Sequence, residues 1–222
     1  MNRCGVSHFS HPDDIRAFPV DYLYKRPALV SHHTMRVKRR PLPRRPPVYE
    51  LDPSVRFLLQ RDMEDLRRLM VPVVREVLDT VNAAGIHNRQ TESCGIGKFC
   101  MAPIEKDSLV AIYQGRVCPR SKEAGERTLQ LKPIRGRQYV VHGGEPSRIN
   151  AADINHSCAK ANCRLVYVHD DDRRLNAVVC VADRHIAAGE ELLVDYAEDF
   201  FPPGQGSVPC RCDDPCPKGR FF

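Results

Sequence analysis

Between positions 52 and 85 the apolar residues recur at steps of three and four. Val55, Leu58, Leu59, Leu66, Leu69, Met70, Val73, Val74, Val77 and Val81 fall on one stripe at this period, which predicts a helical scaffold. Asp52 is placed to cap its start, Pro53 suits its first turn, and Gly85 suits its end. Pro72 interrupts the run and removes an amide donor, so a kink or two consecutive helices are expected there. From Gly95 onward the pattern changes to that of short strands. LVAIYQG (109–115), QYVVHGG (138–144), CRLVYVH (163–169) and NAVVCVA (176–182) are rich in β-branched residues and bounded by Gly, Asp or Asn. The last two flank the charged stretch DDDRRL and read as a hairpin. The polar, Arg-rich stretch 116–137 is expected to hold a short helix around 121–129. The C-terminal half is therefore mostly β.

Length and composition refine this picture. The 222 residues, 42% of them hydrophobic, suffice for one domain with a full core and an appendage. No apolar run approaches the roughly 20 residues of a membrane span, and MNRCGVSHFSHPDD has no apolar signal core. An intracellular protein without a membrane partner is expected. The net charge of +6 is concentrated at one end, because residues 1–50 hold 10 Lys and Arg against 4 Asp and Glu, and the remainder is balanced. KRRPLPRRPP (38–47) alternates basic clusters with prolines and has little to bury, so residues 1–50 are expected to be a disordered basic arm. Such an arm suits nuclear import or non-specific nucleic-acid contact.

Ten cysteines without a secretory signal argue for metal rather than disulfides. Cys210, Cys212 and Cys216 place three thiols within seven residues, and zinc takes four N or S ligands in a tetrahedron. The fourth must come from elsewhere in the chain. Cys158, beside the turn suggested by Asn155-His156-Ser157, is the leading candidate, with Cys163, His156 and His169 as rivals. A structural zinc is expected to pin the Pro- and Gly-rich tail to the body.

Four stretches in this order resemble a SET domain with a post-SET tail: GIGKFCMAPIEKDSLVAIYQG (95–115), NHSCAKANC (155–163), IAAGEELLVDY (186–196) and the cysteine triplet. The resemblance covers about residues 92–217. It implies a mostly β fold of short sheets with a pseudoknot-like C-terminal closure, preceded by an α-helical segment and the basic arm. The expected divisions are 1–50 (arm), 51–91 (helical scaffold), 92–201 (SET domain) and 202–222 (zinc-binding post-SET tail). The implied activity is S-adenosylmethionine-dependent protein lysine N-methylation, on a lysine-containing peptide of a histone or another basic nuclear protein, on chromatin in the nucleus.

By the same resemblance, Gly95, Ile96, Gly97, Asn155 and His156 bind the methyl donor. Tyr196 is catalytic, and Tyr113 lines the lysine channel. The peptide is expected to add as an extended strand; the acidic residues Glu190, Glu191, Glu198 and Asp199 suit a cationic peptide and equally a plain solvated loop. Ala152 and Asp153 stand where the family usually has Arg-Phe, and Val194 where relatives carry Phe or Tyr. The smaller valine predicts a channel roomy enough for di- or trimethylation, unless Phe200 or Phe201 folds in to fill the gap. The alternative is a catalytically silent SET-like module that binds peptide or nucleic acid. Retention of Tyr196, Asn155 and His156 together favours the enzyme.

Overall fold

The computed structural model describes residues 17–19, 48–91, 95–120, 127–169, 175–196 and 212. Helix α1 (Arg56–Ala83) carries the apolar stripe on its inner face, where Leu59, Met63, Leu66, Met70, Val73, Val74, Val77 and Val81 are buried. Each such side chain contributes about 2 kcal/mol through removal from water. That stripe continues on both sides of Pro72, and α1 runs through the proline as one helix instead of two. Packing along the whole stripe overrides the missing amide. The start also differs from expectation. Val55 takes the N-cap position without a side-chain cap, and the Asp52 carboxylate instead accepts from the amide and hydroxyl of Ser54. The end is as the sequence suggested: Gly85 adopts φ +59°, and the Ile86 amide closes back onto the Val81 carbonyl at 2.9 Å.

The strands, in chain order, are β1 (Ala17–Pro19), β2 (Tyr49–Leu51), β3 (His87–Gln90), β4 (Ile96–Phe99), β5 (Leu109–Ile112), β6 (Gly115–Pro119), β7 (Thr128–Gln130), β8 (Tyr139–Gly143), β9 (Asn155–His156), β10 (Cys163–His169), β11 (Ala177–Ala182) and β12 (Glu191–Val194). Among the described residues the larger sheet runs β3-β4-β12-β10-β11-β5, with β1 beside β10 and β9 beside β12. The smaller runs β2-β6-β8-β7. The β10–β11 hairpin is antiparallel, with Cys163 opposite Ala182. Helix α1 packs on β5. In place of the short helix expected to end near position 129, Thr128 and Leu129 lie buried in β7, paired to β8. Residues 121–126, and most of the basic arm, lie outside the described residues.

Strand β12 organises the site. It pairs antiparallel with β4 (Leu192 opposite Lys98), parallel with β9 (Leu193 opposite Asn155, Val194 opposite His156) and parallel with β10 (Val194 opposite Cys163). Buried Asn162 fastens it further. The Asn162 Oδ1 accepts from the Leu193 amide and its Nδ2 donates to the Glu191 carbonyl, each at 2.8 Å. A single four-residue strand thus holds three other strands, β4 from one part of the sequence and β9 and β10 from another.

Candidate active site

At one end of β12, Gly95 closes the β3–β4 connection, and Ile96 and Gly97 open β4, paired with Gln90 and Arg89 of β3. Gly95 has φ +73°, a backbone conformation that a β-carbon disfavours. Its carbonyl accepts from the Thr91 amide at 2.6 Å and the Thr91 hydroxyl at 2.8 Å. A β-carbon added at Gly97 would overlap the Glu191 carboxylate, Thr91 Cγ2 and Asn155 Nδ2. The absent side chain at Gly97 lets Glu191, Thr91 and Asn155 pack close against the backbone. Ile96, between the two glycines, is 47% exposed, an apolar side chain at the rim.

Asn155 bridges this segment to β12: its Nδ2 donates to the Ile96 carbonyl at 3.3 Å and to Glu191 Oε1 at 2.8 Å. Burial pushes the Glu191 carboxyl above its ordinary value, against the opposing hydrogen bond from Asn155. Glu190 points elsewhere, pairing with Arg184 at 3.0 Å and capping the Ala187 amide at 2.6 Å. The acidic cluster expected from sequence is therefore divided, because its two described members face different partners. Glu198 and Asp199 lie outside the described residues.

His156 and Tyr196 form the next layer. Their rings stack with centroids 4.9 Å apart, and the Tyr196 amide donates to His156 Nδ1 at 3.1 Å. The Tyr196 hydroxyl donates to the Ile154 carbonyl at 2.7 Å. The Tyr113 hydroxyl is held likewise by the Arg127 carbonyl at 2.7 Å. Val194 is buried in β12.

On the far side of His156 lies a soft-ligand cluster. His156 Nε2 is 3.0 Å from Cys158 Sγ, and the Cys158 amide donates to Cys212 Sγ at 3.4 Å. The ligand atoms of His156, Cys158 and Cys212 all fall within 4.8 Å of one another. Two sulfurs and an imidazole nitrogen brought together from 54 residues apart are the donor set that zinc favours, so the residues present fit the metal. The geometry brings His156 in beside Cys158, and both were among the sequence candidates. Cys210 and Cys216 lie outside the described residues. Cys163 is buried in β10 with its thiol pushed well above the ordinary value, first by a hydrogen bond with Cys180 and then by burial, so it behaves as a core residue.

Sequence reasoning passed over Lys98, Glu191 as the partner of Asn155, and Asn162 as the clasp of β12. Only Asn162 left a signal, as the second asparagine of NHSCAKANC.

Residues 95–197 match the SET domain family. Over 131 residues the chain is 30% identical to "Histone-lysine N-methyltransferase, H3 lysine-4 specific" of Schizosaccharomyces pombe, covering 56% of this chain and 14% of that protein. Over 144 residues it is 30% identical to "Histone-lysine N-methyltransferase ash1" of Drosophila melanogaster, covering 62% of this chain and 6% of that one. The chain thus spans a small fraction of the length of these relatives. A solved structure of KRYPTONITE with mCHG DNA and SAH superposes with a TM-score of 0.49 at 23% identity, over 57% of this chain and 27% of that chain.

Proposed function

We propose, from the SET domain that residues 95–197 of this chain form, that the protein is an S-adenosylmethionine-dependent protein lysine N-methyltransferase acting on a histone or another basic nuclear protein. The observation that carries this reading is the convergence of three sequence-distant groups. The Gly95–Gly97 segment, Asn155-His156 and Tyr196 meet around β12 through the Asn155 bridge and the His156–Tyr196 stack. The kind of substrate is supported by the two relatives, both described as histone-lysine methyltransferases.

When bound, S-adenosylmethionine supplies an electrophilic methyl carbon. The chain's residues supply place and polarity. Gly95, with nothing near the place of its missing β-carbon, admits a ligand against bare backbone, while Gly97 lets Glu191 and Asn155 pack close beside it. A lysine amine with an ordinary pKa of about 10.4 must lose its proton before it attacks, and a site that excludes water favours that loss. With its proton committed to the Ile154 carbonyl, the Tyr196 oxygen is oriented as an acceptor for the incoming amine. Tyr113, fixed on the Arg127 carbonyl, would form a channel wall. Transfer then depends on in-line placement, where an error of 1 Å costs about 100-fold. Cys158, with Cys210, Cys212 and Cys216 of the tail, would hold a structural zinc that closes residues 202–222 over the site, and His156 beside Cys158 is the rival for the fourth place. The basic arm would contact nucleic acid, in keeping with a chromatin location.

The test is transfer of a radiolabelled methyl group to mixed histones by wild type and Tyr196→Phe. Wild type is expected to label at least one histone, and Tyr196→Phe to lose about 100-fold in rate with donor binding retained. Donor binding by wild type without transfer to any protein would favour a silent peptide-binding module.

A further inference from the structure

Beneath the donor turn lies a buried ionic cluster for which the reaction has no direct use. Lys98, next to Gly97 on β4, is 0% exposed. Its Nζ donates to the Ser147 carbonyl at 2.5 Å and to Asn88 Oδ1 at 3.0 Å, and lies 3.6 Å from Asp153 Oδ2. Asp153 receives Arg127 Nη2 on Oδ1 at 2.5 Å and the Ser147 amide on Oδ2 at 3.0 Å. The same Arg127 nitrogen donates to the Gly144 carbonyl at 3.0 Å.

The arrangement matters for what it adjoins. Arg127 sits at φ +63°, in the left-handed region that a side chain disfavours, so its backbone needs outside support. Its carbonyl, held in that conformation, receives the Tyr113 hydroxyl and also the Gly143 amide at 2.7 Å. Asp153 directly precedes Ile154, whose carbonyl receives the Tyr196 hydroxyl. Both tyrosine hydroxyls are therefore anchored on backbone carbonyls held from behind by one ion cluster. An apolar pair of similar volume would pack this space at equal or lower free-energy cost. A charged pair retained here points to orientation rather than stability.

We infer that Lys98, Asp153 and Arg127 form a positioning unit that sets the direction of the Tyr113 and Tyr196 hydroxyls. What those hydroxyls then do rests on the methyltransferase reading above. Lys98 is a positioning residue that acts through Asp153, and it touches neither donor nor peptide. With Lys98 removed, the Asp153 carboxylate turns wholly to Arg127 and Ser147. The 151–154 turn and the Arg127 carbonyl then shift, and the tyrosines follow.

The experiment uses the full chain labelled with 3-fluorotyrosine, with fluorine resonances assigned by Tyr113→Phe, Tyr196→Phe and Tyr167→Phe. Lys98→Met, Lys98→Arg and the neutral pair Lys98→Met/Asp153→Asn are compared with wild type. The double variant leaves no lone buried carboxylate, so it keeps the test decisive if Lys98→Met does not fold. The Tyr113 and Tyr196 resonances are expected to move in Lys98→Met and in the double variant. Tyr167, whose hydroxyl rests on the Gln130 carbonyl, is expected to stay. In the methylation assay, kcat of the double variant is expected to fall about tenfold, with KM for the donor nearly unchanged and partial recovery in Lys98→Arg. Unmoved Tyr113 and Tyr196 resonances in the double variant, or a kcat within about twofold of wild type, would overturn the inference. If wild type transfers no methyl group, the functional reading fails and the fluorine shifts alone decide on the positioning unit.

Discussion

Replacing Lys98 by methionine tests how much free energy the fold gives up to bury a charge. Burial holds the Lys98 ammonium below its ordinary 10.5, at about 8, and the attraction of Asp153 restores only part of the loss. Below pH 8 the lysine is protonated in the folded and unfolded chain alike, and its contribution does not vary. Between pH 8 and 10.5 the unfolded chain keeps a proton that the folded chain releases, so stability rises with pH; above 10.5 it levels again. At about 1.4 kcal/mol per tenfold change in proton affinity, the interval from about 8 to 10.5 is worth about 3 kcal/mol. Other titrating groups are common to both proteins and cancel in the difference. The stability of wild type minus that of Lys98→Met is therefore expected to climb by about 3 kcal/mol from pH 7.5 to 10.5. The chain has no tryptophan, so urea unfolding is followed by far-ultraviolet circular dichroism at each pH. A difference that stays flat or declines across that window would refute the reasoning.

Three further outcomes are expected. Gly97→Ala drives a methyl into Glu191, Thr91 and Asn155, and should cost about 1–3 kcal/mol in stability and weaken donor binding at least tenfold by calorimetry. Cys158→Ser should lower the zinc content found by elemental analysis and the melting temperature together, since a structural zinc contributes on the order of 10 kcal/mol. Val194→Phe, which enlarges a buried side chain of β12, should shift product from di- or trimethyllysine toward monomethyllysine by mass spectrometry, and a wild type that makes only monomethyllysine would count against the roomy channel.

Local periodicity revealed what neighbours in sequence decide. The helix stripe from Leu59 to Val81 was legible by its period, and the β10–β11 hairpin by two β-branched runs that close over a short charged span. Strands β6 and β7 were not, since Arg116 and Thr128 are held by pairing to His142 across the sheet, and nothing within TLQ distinguishes a strand from a helix. In the candidate site, NHSC and the Asp-Tyr step marked the residues that meet at β12. Lys98 could not be read as buried. A lysine is ordinarily solvent-exposed, and its partners Asn88, Ser147 and Asp153 come from separate stretches of chain. Asp153 was visible only as a departure, and its meaning appeared when the fold placed an ammonium beside it.

The central place of β12 has a consequence for biogenesis. A ribosome must make everything from the α1 scaffold through residue 190 before the strand that joins β4, β9 and β10 exists. Pairings so remote along the chain form slowly, because the intervening loop entropy must be overcome first. A nascent chain halted before Glu191 would carry the glycine turn and the Asn-His pair without the rod that unites them. Competence for chemistry would then arrive in one late step, and unfinished chains would be inert.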